Sequence, residues 1–172
     1  MIRRVADGLV PSVDSLTVNC RQDQRSAIRK AMSGLPMEVQ FAIDDRPDAG
    51  PLAGIQRGFH DITAQVACVV ACDMPFVDAN VLDYLFTRST SADAAVPRIG
   101  SWYQPLHAVY RTEAMLAAME SIDTSHTRIV EVFENLDVVP VTEAELEEAG
   151  SMRTLENVNT IEEFQQAQGQ FE

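Results

Sequence analysis

The sequence predicts a single α/β domain with a three-layer, mostly parallel sheet, and three observations predict it. Segments of helical periodicity alternate with short apolar segments along the chain, the order that wraps helices over a sheet. Val66 to Cys72 is apolar at every position, as a strand buried on both faces requires, and it ends abruptly at Asp73. Gly50-Pro51-Leu52-Ala53-Gly54 sets a glycine-spaced loop at the start of a helix. A length of 172 residues suits one domain, and 46% hydrophobic residues can cover both faces of its sheet.

The elements follow in order. Residues 2–10 put Ile2, Val5, Ala6 and Leu9 on one helical face and stop before Pro11. Residues 16–20, Leu-Thr-Val-Asn-Cys, have strand character. Residues 22–32 predict an arginine-rich amphipathic helix closed by Gly34. Residues 39–43 predict a second strand, 44–50 a loop and 52–62 a helix. The third strand is 66–72, and Met74-Pro75 stops it because proline cannot donate to a sheet ladder. A helix over 79–88 and a short strand over 94–97 follow. Residues 102–110 predict one further strand, placed at a sheet edge by Pro105. Helices over 113–122 and 128–136, a strand over 138–141, and helices over 143–149 and 161–167 complete the chain. The order opens on a helix, whereas parallel α/β domains ordinarily open on a strand whose loop feeds the first helix.

The formal net charge is −13, with Lys30 the only lysine. Such a surface repels nucleic-acid backbones, which excludes polymer binding but not a nucleotide, whose phosphates need only a local cation or amide nest. No stretch is long and apolar enough to span a bilayer. The opening Met1-Ile2-Arg3-Arg4-Val5 has no apolar segment behind it, so no secretory leader is expected. Cys20, Cys68 and Cys72 are an odd number without metal-cluster spacing, and they predict buried free thiols in a reducing cytoplasm.

The candidate chemistry centres on Asp73. An acid at the carboxyl end of a buried strand lies where open α/β sheets bind ligands, and a carboxylate there can hold a hard cation. The alternative is a solvated acid before the next helix. No serine or cysteine nucleophile stands at motif spacing from a base, which agrees with direct in-line transfer, where positioning and electrostatics do the work. His107, inside an alternating strand, reads as structural; His60 and His126 have no metal-pair spacing.

Six segments in order carry a resemblance: Thr17-Val18-Asn19, Ile43-Asp44-Asp45, Gly50-Pro51-Leu52-Ala53-Gly54, Cys72-Asp73-Met74-Pro75, Gln104-Pro105-Leu106-His107-Ala108-Val109-Tyr110 and Asn157-Val158-Asn159-Thr160. Together they resemble the molybdenum cofactor guanylyltransferases, the MobA-like branch of the nucleotidylyltransferases. The resemblance implies a Rossmann-like sheet of the glycosyltransferase-A-like kind, GTP and molybdopterin as substrates, Mg²⁺ as cofactor, and molybdoenzyme maturation proteins as further partners.

The resemblance also implies roles. Asp73 would hold Mg²⁺ between the α- and β-phosphates of GTP. Asn159 matches a position near that metal, although Asn-x-Asn-Thr before a helix is also an N-cap arrangement. Asp45 would accept from the guanine N1 and N2 groups, with an ordinary acidic loop as the alternative. Asn19 would face the base or ribose, or else form an Asx-turn. Gly50 and Gly54 would let the backbone approach substrate, or else make a tight turn and a close helix contact. Gln104 and Asn157 fall on the substrate side. Trp102 and Tyr103 either line a pterin pocket or pack on a neighbouring helix. Arg98 and Arg111 are candidates for the pterin phosphate or ordinary surface arginines.

The family's opening strand, its Leu-Ala-Gly-Gly-type loop and the Asp-Lys after it have no counterpart here. The expectation is a chain truncated relative to the family or a degenerate copy, with its first strand missing, a sheet edge exposed, and little or no activity. Cytidylyltransfer to molybdopterin, guanylyltransfer to another phosphorylated metabolite, and a non-catalytic pterin- or partner-binding role are the competing readings.

Overall fold

A computed structural model describes residues 1–44, 50–123 and 127–168. Its opening helix α1 (Ile2–Leu9) buries Val5, Ala6 and Leu9, the face the sequence pattern marks. Strands β1 (Leu16–Cys20) and β2 (Val39–Ile43) flank α2 (Arg25–Ala31) and pair in parallel, with Val18 opposite Phe41. Helix α3 (Pro51–Asp61) starts at Gly50, whose φ of 83° is open to glycine at no steric cost, and has proline in its first turn. It leads to β3 (Val66–Val70).

Helix α4 (Ala79–Arg88) is capped by the Asp78 carboxylate, which accepts from the Asn80 N–H. Strands β4 (Ala94–Ile99), β5 (Trp102–Tyr103) and β6 (His107–Arg111) follow, then α5 (Thr112–Glu120) and a 3₁₀ stretch at Ile129–Asn135. Strand β7 (Val138–Thr142), α6 (Glu143–Ala149), a 3₁₀ turn at Met152–Leu155 and α7 (Ile161–Gln168) close the chain.

The fold class is the Rossmann-like α/β one, but the sheet is mixed rather than mostly parallel. The larger sheet runs β3-β6-β4-β5, with β7 also on β4. Pairs β3–β6, β4–β6 and β4–β5 are antiparallel; β4–β7 and β1–β2 are parallel. The turns joining β4, β5 and β6 are too short for a crossover and must reverse the chain. The single edge strand expected over 102–110 is two strands. The chain bends at Gln104-Pro105, where the Gln104 N–H bonds the Pro97 carbonyl and the Tyr110 hydroxyl donates to the Pro105 carbonyl. Of these two, β5 lies at an edge and β6 is internal, between β3 and β4. The helix expected over 128–136 is the tighter 3₁₀ form.

Apolar layers cover both faces of the larger sheet. On one, Leu52, Phe59, Met115 and Met119 of α3 and α5 meet Ala94, Val96, Ala108 and Tyr110. On the other, Val5, Leu9, Val81, Leu85 and Leu146 of α1, α4 and α6 meet Ala95, Val109 and Val141. A third cluster, Ala6, Val18, Cys20 and Met32, belongs to the smaller sheet.

Candidate active site

The apolar run of β3 carries the chain to a turn at Cys72-Asp73, with Met74 buried behind it. This anchors the turn and leaves Asp73 half-buried at the wall of a cleft of about 950 Å³. Asn19, Gly50 and Gly54 line the same cleft. The Asp73 carbonyl accepts a hydrogen bond from the Val158 N–H at 2.7 Å. The Asn157–Asn159 segment is therefore held beside the strand end that carries the acid, but neither asparagine lines this cleft; Asn157 lines a separate pocket with Phe76, Arg153 and Glu156.

Asn19 leaves β1 and donates through Nδ2 to the Gly54 carbonyl at 2.9 Å. A Cβ on Gly54 would sit 2.9 Å from Asn19 Oδ1, so any side chain there would displace the Asn19 carboxamide. Of the alternatives for the two glycines, the structure displays a positive-φ turn at Gly50 and a close helix contact at Gly54. The exposed Asn159 has its N–H on Glu163 Oε2 at 2.7 Å. Glu163 also accepts from the Thr160 N–H and donates its own N–H to Thr160 Oγ1, an N-cap box for α7. The Asn159 side chain is not part of that cap.

One expected residue is not brought together with these. Gln104 stays in the β5–β6 turn and is not on the cleft wall. Asp45 lies outside the described residues, as does His126. Tyr103 packs edge-on against Phe133 at 5.3 Å, the packing alternative, whereas Trp102 is 71% exposed; neither lines the cleft. Arg111 pairs with Asp93.

The cysteines are free, but only Cys20 is buried; Cys68 is half-buried and Cys72 exposed, which corrects the expectation of three buried thiols. Burial pushes the Cys68 thiol up to about 11. Partial desolvation of the Cys72 sulfur at the cleft wall, and then the neighbouring Asp73 charge, raise that thiol as well.

Sequence reasoning missed what fastens the site from behind. His107, paired with Val70 on β3, is fully buried, and burial lowers its pKa to about 4. The ring is therefore neutral at ordinary pH. Its Nε2 lies 3.0 Å from Thr154 Oγ1, which also accepts from the Asp78 N–H. The Asp78 carboxylate accepts from the Ser151 N–H at 2.9 Å. The segment before Asn157 is thereby tied to the one after Asp73. No sequence signal marks Thr154, because these bonds join positions far apart in the chain.

A Rossmann-like sheet with an acid at the end of an apolar strand, beside a cleft rimmed by amide and carboxylate oxygens, defines an enzyme of the nucleotidyltransferase class. The chain belongs to the MobA-like NTP transferase domain family, whose pattern it matches over residues 1–141. It is 44% identical over 168 residues to a probable molybdenum cofactor guanylyltransferase of Natronomonas pharaonis, covering 97% of this chain and 82% of the relative. It is 33% identical over 165 residues to a protein of the same description from Haloferax mediterranei, covering 95% and 78%. Among solved structures it is similar to molybdopterin-guanine dinucleotide biosynthesis protein A from Archaeoglobus fulgidus. There the TM-score is 0.74 at 23% identity, covering 98% of this chain and 83% of that one. A 4-diphosphocytidyl-2C-methyl-D-erythritol synthase from Anaerococcus prevotii shares the fold, with a TM-score of 0.76 at 10% identity, covering 98% and 87%. Among the described residues, no helix is long and apolar enough to cross a membrane.

Proposed function

We propose that this chain transfers the GMP moiety of GTP to molybdopterin and releases pyrophosphate, with Mg²⁺ as the resident cation. The names of its relatives support the substrates. The observation that carries the reading is that Asp73, at the end of the apolar strand, lines one cleft with Asn19, Gly50 and Gly54, while the 2.7 Å bond from the Val158 N–H to the Asp73 carbonyl brings the Asn157–Asn159 segment up to that strand end.

The donor chemistry fits the cation. A carboxylate and carboxamides are hard oxygen donors, and Mg²⁺ usually takes one or two carboxylates and completes its shell with substrate phosphates and water. Among the described residues, no group of three His, Cys, Asp or Glu forms an all-protein cage. Asp73 and Asn159 would hold the ion, which when bound neutralises charge building on the departing pyrophosphate. In the transfer, a terminal phosphate oxygen of the pterin forms a bond to the α-phosphorus of GTP. The bond from that phosphorus to the α–β bridging oxygen breaks, and its electron pair leaves with pyrophosphate. Asn19 and Asp45 hold the guanosine. Gly50 and Gly54 shape the substrate side, whereas Gln104 and Asn157 both lie off the cleft wall.

No arginine or lysine lines the cleft among the described residues, and Lys30 sits on α2, off that wall. A triphosphate gains little cationic stabilisation there. Residues 1–172 alone are therefore expected to turn over far below the usual enzymatic range of about 1–10³ per second. The net charge of −13 argues against nucleic-acid partners, and three free thiols suit the cytoplasm. The test is calorimetric titration of the chain with GTP, CTP and ATP, with and without Mg²⁺, followed by chromatography of products formed with molybdopterin. Mg²⁺-dependent preference for GTP supports the reading; preference for CTP, or pterin binding without nucleotide binding, overturns it.

A further inference from the structure

Strand β2 is the outer strand of the smaller sheet: among the described residues it bonds to β1 alone. The Asp44 N–H bonds the Cys20 carbonyl at the end of β1. Backbone groups of successive strand residues point to alternate sides, so Gln40 and Ala42 also turn theirs to β1. Val39, Phe41 and Ile43 turn their N–H and C=O groups outward, where no described backbone group meets them. Such an edge is a template for a further strand.

The side chains of the same three residues lie on the face that α2 covers, with Ile28 of α2 in the same apolar cluster. Phe41 is half-buried, and two guanidinium groups of α2 stand over its ring. Arg25 lies 5.7 Å and Arg29 5.5 Å from the ring centroid. Attraction to the π face holds both cations in place. Neither is in a salt bridge with a described carboxylate. The buried Arg25 Nε has no hydrogen-bond partner, so this guanidinium is partly desolvated without a counter-ion. The surroundings have the same sign. Residues 1–43 set Arg3, Arg4, Arg21, Arg25, Arg29 and Lys30 against Asp7, Asp14, Asp23 and Glu38, in a chain whose net charge is −13.

We propose that the β2 edge, with Arg25 and Arg29 beside it, is a docking site for an extended acidic segment of a partner protein. The segment adds as a strand to the outward groups of Val39, Phe41 and Ile43, the β-augmentation mode of recognition. Its acidic residues stand at alternate positions, on the α2 face, and meet the two guanidinium groups. The spacings agree. Residues four apart on a helix are about 6 Å apart along its axis, and alternate residues of a strand are ~6.6 Å apart. Carboxylate–guanidinium bonds are charge-assisted, and the planar fork of arginine suits them. The intervening residues face the side of the exposed Gln40 and are polar. An antiparallel pair of β2 with β2 of a second copy is opposed, because it brings the two arginine pairs together on one face. Arg25, Arg29 and Phe41 do not line the cleft that holds Asp73, so this surface is separate from the nucleotide reading.

The test uses the whole 172-residue chain and labelled peptides of about seven residues. One alternates Glu with Thr, and one has the same residues with its glutamates contiguous. A third alternates Glu with Pro, which keeps the charge but imposes a helix of three residues per turn and removes strand donors. Fluorescence anisotropy reads affinity, and hydrogen exchange reads residues 39–43. Two charge reversals of equal size are compared. Arg29→Glu acts on the Phe41 ring, and Arg21→Glu acts on an exposed arginine beside Asp23.

The expected result is saturable one-to-one binding of the Glu/Thr alternating peptide, with exchange over residues 39–43 slowed at least tenfold. The contiguous and proline peptides should bind at least fivefold more weakly. Arg29→Glu should weaken binding at least tenfold and Arg21→Glu less than threefold. Absence of binding, equal binding of all three peptides, protection elsewhere but not over residues 39–43, or equal loss in the two variants would each overturn the proposal. So would equally tight binding of a thymidine oligonucleotide of matching charge, which would mark a general anion site. None of these readouts involves GTP, so failure here and failure of the GTP reading are distinguishable.

Discussion

The Asp73 main-chain carbonyl accepts the Val158 N–H at 2.7 Å, joining the end of the most apolar strand to a segment half the chain away. The bond uses the backbone of Asp73 and leaves its side chain to other work. Structure and chemistry at this residue can therefore be separated by mutation.

Asp73→Asn is expected to leave the unfolding temperature within a degree or two, because the backbone bond survives. Mg²⁺-dependent GTP affinity and transfer should fall by about 10²-fold, the range seen when one preorganised charge-stabilising group is lost. Calorimetry with and without Mg²⁺ checks this, and an unchanged Mg²⁺ dependence would remove Asp73 from the metal site.

Gly54→Ala places a methyl 2.9 Å from Asn19 Oδ1 and disturbs the bond from Asn19 Nδ2 to the Gly54 carbonyl. A loss of about 1 kcal/mol in stability is expected. Asn19→Ala removes both the clash and the bond, so the double variant should be less destabilised than the sum of the singles. Urea unfolding of the four proteins measures the coupling, and strict additivity would contradict it.

Gly8→Ala is expected to cost more. Its Cβ would lie 2.7 Å from Val77 Cβ and 3.1 Å from the Val77 carbonyl oxygen, so a backbone must move rather than a flexible side-chain end. A loss of about 2 kcal/mol follows from overpacking at this helix contact. Thermal melts of Gly8→Ala and Gly58→Ala compare it with a glycine that has nothing within 4 Å.

Stability should decline with acid through His107. Its folded pKa, about 4, lies below the ordinary 6.5, so the unfolded chain takes the proton more readily. The contribution is intact above pH 6.5 and is lost as pH falls from 6.5 towards 4, by about 3 kcal/mol when complete. Subtracting the pH–stability curve of His107→Gln from that of the unaltered protein isolates this component. A flat difference over that window would show that the imidazole is not the group responsible.

Cys72 should be the thiol that a bulky disulfide reagent reaches in the native protein, since Cys20 is buried and Cys68 half-buried. Its rate should climb as pH rises past neutrality, because the thiol pKa is raised. Counting released chromophore in native buffer and in denaturant gives one thiol and then three.

Local chemistry made much of the fold legible. The apolar face of α1, the strands at Leu16–Cys20 and Val39–Ile43, the proline-started helix after Gly50 and the turn at Asp73 all follow from short-range patterns. The break of β5 from β6 was harder, because Pro105 is compatible both with an edge strand and with a turn between strands. Only the Gln104–Pro97 bond decides between them. Within the site, Asp73 could be singled out from residue type and position and Asn19 from the resemblance, and both line the cleft, whereas Thr154 and His107 could not be linked.

The sequence by itself determined the elements, the α/β class and the acid at the strand end, because periodicity, proline and charge act over a few residues. The tertiary structure alone decided the mixed pairing of the sheet, the docking of Asn19 on Gly54, and the cleft between β1 and β3. Those depend on which edges and faces meet, and such meetings are settled by packing and hydrogen bonds between segments that no local pattern connects.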